Sequence, residues 1–257
     1  MKAEVCLVSP ANRANEPYPP LGLMYVAGYL DKQGIEVAII DVKVDPYWGL
    51  IGSFSKKVEE RILEEVEAMA PPLIGITCLV TEVGEVINLS RRIKSKLKKA
   101  KILVGGIHPT MYPRDLLFRG SPVDYVVVGE GEQTAAELVH AIIGGGRMED
   151  VRSIAWFDGT KVYRTPPRSV IENLDEIPFP LYKRVDTAYY FRPSIYAIRN
   201  MLLSAAFVFT SRGCPYQCSF CVNKNIQSIM GSQRLIRSRS VSNVLFQTDQ
   251  EKKGVSN

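Results

Sequence analysis

Three of the chain's five cysteines fall within one short stretch, "TSRGCPYQCSFC", from Thr210 to Cys221. Cys214, Cys218 and Cys221 are spaced C-x3-C-x2-C. Thiolates are soft ligands that suit zinc and iron–sulfur centres, so this spacing reads as a metal site. A structural zinc site takes four protein ligands. The only histidines, His108 and His140, are distant in sequence, and Cys6 and Cys78 sit inside apolar runs, where a thiol behaves as a small buried hydrophobe. Either a distant residue completes a zinc site, or the site is meant to have three protein ligands. A [4Fe–4S] cluster normally takes four thiolates. With three, one iron stays open to a small-molecule ligand.

Such a site needs a scaffold, and the rest of the chain reads as one. At 46% hydrophobic and 23% charged, the 257 residues can bury a core. The net charge of +5 is mild and does not by itself argue for nucleic acid. Much of the basic excess lies in "RRIKSKLKKAK" (Arg91 to Lys101), read as a solvated helix face with cations near its C-terminus, and in "QRLIRSRS" (Gln233 to Ser240). Binding of nucleic acid is not expected. No N-terminal apolar h-region appears, and no apolar run is long enough to span a bilayer. The clustered cysteines suit a reducing compartment, so the chain reads as cytoplasmic.

Up to Gly146, strand and helix periodicities alternate. "AEVCLVSP", "IEVAIIDV", "PLIGITCLV", "KILVGG" and "DYVVVGEGE" read as strands. Between and after them, "PLGLMYVAGYLDKQG", Lys56 to Met69, Glu82 to Lys99 and Thr134 to Ile143 read as helices. That order predicts an α/β fold, a doubly wound parallel sheet of Rossmann-like type, with its ligand crevice at the carboxyl ends of the strands. The loops there hold Thr77, Gly105, Gly106, His108, Gly129, Glu130 and Gly131. Residues 147–200 read as a hairpin turning at Asp158-Gly159 and a proline-punctuated connector. "SAAFVFTSRG" then reads as a strand running into the cysteines, and "SVSNVLFQTDQEKK" begins as a serine-capped helix.

The cysteine spacing, with Phe220 just before the last thiol and "RGCPY" around the first, resembles the cluster motif of radical S-adenosylmethionine (SAM) enzymes. The resemblance implies that Cys214, Cys218 and Cys221 hold a [4Fe–4S] cluster, that SAM occupies the open iron with Phe220 nearby, and that residues 201–257 begin a (β/α) barrel. It extends to the front half. "YPPLGLMYVAGYLDKQGIEVAIIDV", "LVGGIHPTMYPRDLL" and "VDYVVVGEGEQTAAELV" are similar to the cobalamin-binding domain that precedes the barrel in one radical SAM subgroup, and "NLDEIPFP" to its linker. This implies a cobalamin-binding domain over residues 1–146.

A corrinoid is a wide, mostly apolar disc, and glycines at strand ends let a backbone approach it closely. The same glycines would also serve tight strand-to-helix turns. Thr77 would bond corrin amides or cap the next helix. His108 would contact the corrin or simply be solvated. However, "GGIHPT" lacks the Asp and the later Gly of the D-x-H-x-x-G motif in which histidine ligates cobalt. Gly129-Glu130-Gly131 is not a dinucleotide fingerprint, since it follows the last strand and lacks the G-x-G-x-x-G spacing.

The resemblance implies reductive cleavage of SAM on a small-molecule substrate, for methyl transfer to an unactivated carbon or for oxidative cyclisation of a tetrapyrrole-like compound. An external electron donor such as flavodoxin or ferredoxin would serve it. A full barrel takes on the order of 200 residues beyond the connector, which leads to the expectation of a C-terminal truncation. A corrinoid-binding module without the chemistry is the alternative. The segment from about Ile226 is expected to be poorly ordered, since its helix would have no second strand or neighbouring helix to pack on.

Overall fold

The computed structural model describes residues 3–10, 18–42, 56–198, 201–231 and 236–255. The proline-containing loop expected after the first strand lies mostly outside them.

The alternating periodicities give a three-layer α/β/α arrangement. Strands β1 (Val5–Ser9), β2 (Val37–Asp41), β3 (Leu73–Thr77), β4 (Lys101–Gly105) and β5 (Tyr125–Val127) pair in parallel in the order β2-β1-β3-β4-β5. Helices α1 (Leu21–Lys32) and α5 (Gly131–Gly144) cover one face, and α2 (Lys56–Met69) and α3 (Val83–Lys96) the other. Between α3 and α5 lies the short helix α4 (Ile107–Met111). Side chains alternate between the two cores: Val5, Leu7 and Leu103 face α1 and α5, while Cys6, Val8, Ile102 and Val104 face α2 and α3. Burial pushes the Cys6 thiol up to about 12, with the nearby Glu65 charge adding to it, as befits an inert core residue.

The chain reverses direction across the sheet between β1 and β3, which opens a crevice at their carboxyl ends. The hairpin β6 (Ile154–Phe157) and β7 (Val162–Arg164) adds two antiparallel strands beside β5 and completes a seven-stranded sheet. Its turn forms where the sequence places it, with Gly159 at φ +100° and Asp158 Oδ1 accepting from the backbone N–H groups of Thr160 and Lys161.

The connector does not stand free. Ile171, Leu174 and Ile177 pack around Tyr25 of α1, and Leu181 N donates to Met24 O at 3.0 Å. It leads through helix α6 (Thr187–Phe191) to the hairpin β8 (Ser194–Ile198) and β9 (Met201–Leu203). The strand expected over residues 204–213 is regular only at β10 (Ser211–Gly213), which pairs antiparallel with β11 (Ile236–Ser238). No parallel neighbour lies beside β10 among the described residues, so the returning chain supplies its partner.

Between them lies a helix that the sequence reading did not anticipate, α7 (Asn223–Met230), ended by Gly231 in the left-handed region at φ +63°. Helix α8 (Val241–Val255) follows, and Ser240 Oγ accepts from Asn243 N as the expected cap. The segment beyond Ile226 does find partners. Arg237, Arg239 and Gln247 are buried.

The basic run from Arg91 to Lys101 is partly neutralised. Arg92 pairs with Glu59, Lys94 with Asp124 and Lys96 with Glu67. No described helix is long and apolar enough to cross a membrane.

A Cβ added at Gly28 would lie 2.4 Å from Phe179 O, whereas one at Gly84 on α3 would meet nothing within 4 Å. Gly28→Ala is therefore expected to lower stability by about 1–3 kcal/mol through overpacking, against its own helix propensity. Gly84→Ala should raise stability by a few tenths to about 1 kcal/mol. Urea unfolding of both variants measures the opposite signs.

Candidate functional site

At the carboxyl ends of β1, β3, β4 and β5 lies a cleft of about 530 Å³. It is made by side chains that are missing as much as by those present. Gly75 sits in register between Leu7 on β1 and Leu103 on β4. A Cβ there would come within 2.7 Å of Leu7 Cδ2 and 3.0 Å of Leu103 Cδ1. The missing side chain lets the Leu7 and Leu103 tips close over the strand as an apolar floor on the α1/α5 face, with Val26, Val127 and Ala135 among the other walls of the cleft.

The rim is glycine backbone. Gly106, at φ +115°, occupies a conformation that side chains rarely adopt, and its Cβ would stand 3.0 Å from Cys78 O. Gly129, at φ +83°, follows β5. Thr110 ties the two together. Its hydroxyl donates to Gly106 O at 2.8 Å and accepts from Gly129 N at 3.0 Å. Thr110 also lines the cleft and is the residue that sequence reasoning missed there, since a threonine in a five-residue helix carries no pattern of its own.

Six of the seven residues expected on the strand-end loops line this one cleft: Thr77, Gly105, Gly106, Gly129, Glu130 and Gly131. His108 does not. The short helix α4 turns its ring away, buried, with Nε2 3.0 Å from Asp115 Oδ2, and places Ile107 at the cleft instead. The expected contact of His108 with the corrin is corrected accordingly. One residue's displacement along a helical turn is enough to exchange the two side chains.

The far wall is unexpected from sequence. Phe209, Ser211, Arg212 and Gly213 line the cleft together with Ile226 and Met230 of α7. The Phe209 ring stacks on Tyr25 at 5.7 Å between centroids. Arg212 Nη1 lies 3.3 Å from Glu130 Oε1, and its Nη2 donates to Glu132 Oε1. Arg237 grips the same Glu130 carboxylate at 2.6 and 3.1 Å. Burial alone would raise the Glu130 carboxyl, but hydrogen bonds from Arg237 and the charges of both arginines hold it below the usual range. Burial likewise opposes the Arg212 charge, and the Glu132 and Glu130 carboxylates more than offset it.

The cysteines follow directly, since Cys214 is the next residue after cleft-lining Gly213. Cys214 is half-buried, and Cys218 and Cys221 are exposed. Gln227 Nε2 holds Cys214 O at 3.2 Å, and Cys221 N bonds Cys218 O at 3.1 Å. The three thiols share one loop, yet among the described residues no three His, Cys, Asp or Glu side chains are gathered as a metal ion would require. As a donor set, three thiolates on one loop fit an iron–sulfur cluster with one open iron. Phe220 is 89% exposed beside Cys221 and is not among the residues that line the cleft.

The sequence pattern of the B12 binding domain matches residues 11–139. An uncharacterised methyltransferase of Pyrococcus horikoshii is 31% identical over 79% of this chain and 40% of its own length. The anaerobic magnesium-protoporphyrin IX monomethyl ester cyclase of Synechocystis is 29% identical over 80% of this chain and 38% of its own. The chain thus spans about two fifths of the length of these relatives. The cobalamin-dependent S-adenosylmethionine radical enzyme OxsB, solved with aqua-cobalamin and S-adenosylmethionine bound, superposes with a TM-score of 0.72 at 21% identity. That likeness covers 98% of this chain and 32% of OxsB.

Exposure separates the five thiols. Native iodoacetamide should modify Cys218 and Cys221 first and Cys214 more slowly. Cys6 and Cys78, whose thiols burial pushes up to about 12, should react only after unfolding. Peptide mass mapping with time reads the order.

Proposed function

This chain belongs to the B12-binding domain family, and we propose that its cleft holds the corrinoid of a radical SAM enzyme whose [4Fe–4S] cluster is carried by Cys214, Cys218 and Cys221. One observation carries the reading. The cleft at the strand ends and the three-cysteine loop are one continuous wall, since Ser211, Arg212 and Gly213 line the first and lead into the second.

The residues divide the work. The backbones of Gly105, Gly106, Gly129 and Gly131 leave the rim flat enough for a disc to approach. Thr77 offers a hydroxyl at that rim to amide arms, while buried Thr110 holds the Gly106 and Gly129 backbones in place. The floor formed by Leu7 and Leu103 over Gly75 is apolar and suits the face of a flat apolar group. The three thiolates would hold the cluster, leaving one iron for SAM beside exposed Phe220. When bound, the cluster supplies the electron that cleaves SAM reductively and the corrinoid supplies a methyl carrier.

The whole protein would act on a small-molecule substrate, and its relatives support two reaction classes. One is a methyltransferase and the other a cyclase acting on a magnesium porphyrin ester. Reduction of the cluster calls for an external donor such as flavodoxin or ferredoxin. Free exposed thiols on the cluster loop fit a reducing, cytoplasmic setting.

Titration with hydroxocobalamin is expected to shift its visible spectrum and raise the melting temperature of the chain. Ile107→Glu places a charge at the cleft edge on a side chain that is half exposed and not part of the core, and should weaken binding by about tenfold, equivalent to about 1.4 kcal/mol. Anaerobic reconstitution should load iron and sulfide onto the chain but not onto Cys218→Ala. No spectral change and no thermal stabilisation would overturn the corrinoid assignment. Undiminished iron and sulfide on Cys218→Ala would overturn the cluster assignment.

A further inference from the structure

Arg212 and Arg237 face each other directly across the β10–β11 ladder. Like charges in directly opposed positions repel and weaken a two-stranded ladder. Here the ladder has only three residue pairs, so an opposed pair of cations at its centre weighs heavily. What makes the arrangement tenable lies on another element. Glu130 and Glu132 stand at the start of α5 and meet both guanidinium groups. Arg237 also donates to Ile171 O at 2.6 Å and is 4% exposed, while the Glu132 side chain is 4% exposed. These are desolvated pairs, for which loss of one partner is costly. Surface bridges would count for little.

The two arginines are not equivalent. Arg237 is locked to the connector as well as to Glu130. Arg212 spans Glu130 and Glu132, lies 5.7 Å over the Tyr25 ring, and stands two residues before Cys214. The geometry points to Arg212 as a positioning residue. Its bridge to Glu130 and Glu132 fixes the cysteine loop against the corrinoid rim, so the two cofactor sites keep one spacing and orientation. This inference rests on the cofactor reading above. Glu130 is thereby given a second task, since it belongs to the Gly129-Glu130-Gly131 rim and anchors the loop across from it.

Distance measurement between two nitroxides tests the role without any cofactor. One label is placed on Cys218, with Cys214→Ser and Cys221→Ser leaving it the only accessible native thiol, and the other on Ile107→Cys at the cleft edge. Pulsed dipolar spectroscopy on this chain should give a single narrow distance distribution. Arg212→Gln and Glu132→Gln are each expected to broaden it by about twofold, and the double variant no further than the broader single, because the partners act as one coupled pair. Circular dichroism confirms that each variant is folded, and Glu132→Gln, nearly isosteric, serves if Arg212→Gln does not fold. A contact that only stabilised the fold would lower the melting temperature and leave the distribution of folded molecules unchanged. Unchanged widths in both singles, or additive broadening in the double, would overturn the role of Arg212. If hydroxocobalamin fails to bind while the broadening is seen, the cofactor reading fails and the bridge stands as a positioning device.

Discussion

The site depends on keeping side chains out of one volume. At the carboxyl ends of a parallel sheet, the strands bring their last residues together, and ordinary residues would fill the space above them. Here Gly75, Gly105, Gly106, Gly129 and Gly131 leave it open. The strand order opens the crevice between β1 and β3, and the glycines widen it. Two of them, Gly106 and Gly129, also hold backbone angles that other residues rarely adopt. Thr110 then stabilises both loops with one hydroxyl, donating to one and accepting from the other. A backbone-lined rim is rigid in a way that a side-chain-lined rim is not, because it has no rotamers to lose when a ligand binds.

Emptying that volume raises a second requirement, which is charge. Glu130 stands at the open rim yet is largely covered by the chain that crosses the cleft. A covered carboxylate needs partners, and the only ones that reach it from the far wall are Arg212 and Arg237 among the described residues. The same pairing solves the problem of two arginines opposed on a short ladder. Each element is thus conditional on the other: the β10–β11 ladder is tolerable because α5 begins with acidic residues, and those acids can be covered because the ladder brings cations. Tyr25, beneath both, gives the guanidinium groups of Arg212 and Arg239 an aromatic face.

Much of this was legible in the sequence where a period or a backbone rule decides. The five parallel strands, the four main helices and the Asp158-Gly159 hairpin follow from spacing and turn chemistry. Glycines at strand ends marked the rim correctly for the same reason. His108 failed because which residue of a one-turn helix meets the cleft depends on the loop before it, and Gly106 sets that loop at a positive φ. Gly75 was invisible because a glycine inside a strand looks like a weak strand, and only the registered neighbours Leu7 and Leu103 show what its absence of a side chain does. Helix α7 had a readable signal in Ile226, Ile229 and Met230 closing on Gly231, though a single pair of turns is short for periodicity to show. The arginine bridges were beyond sequence altogether, since Glu130 and Arg237 are brought together only by the path of the connector.

The two curated relatives sharpen what this stretch can decide. A methyltransferase and a cyclase match over nearly the same share of the chain, at nearly the same identity. The stretch matched in both spans the strand-end cleft, so the match itself does not separate the two reactions. A cleft lined mainly by backbone and aliphatic groups discriminates poorly among substrates, since it offers few hydrogen-bonding groups whose loss would penalise a wrong ligand. Its strength is in holding a large, invariant partner in one place. On the cofactor reading proposed above, the choice of reaction would come from groups that contact the substrate and not from this rim.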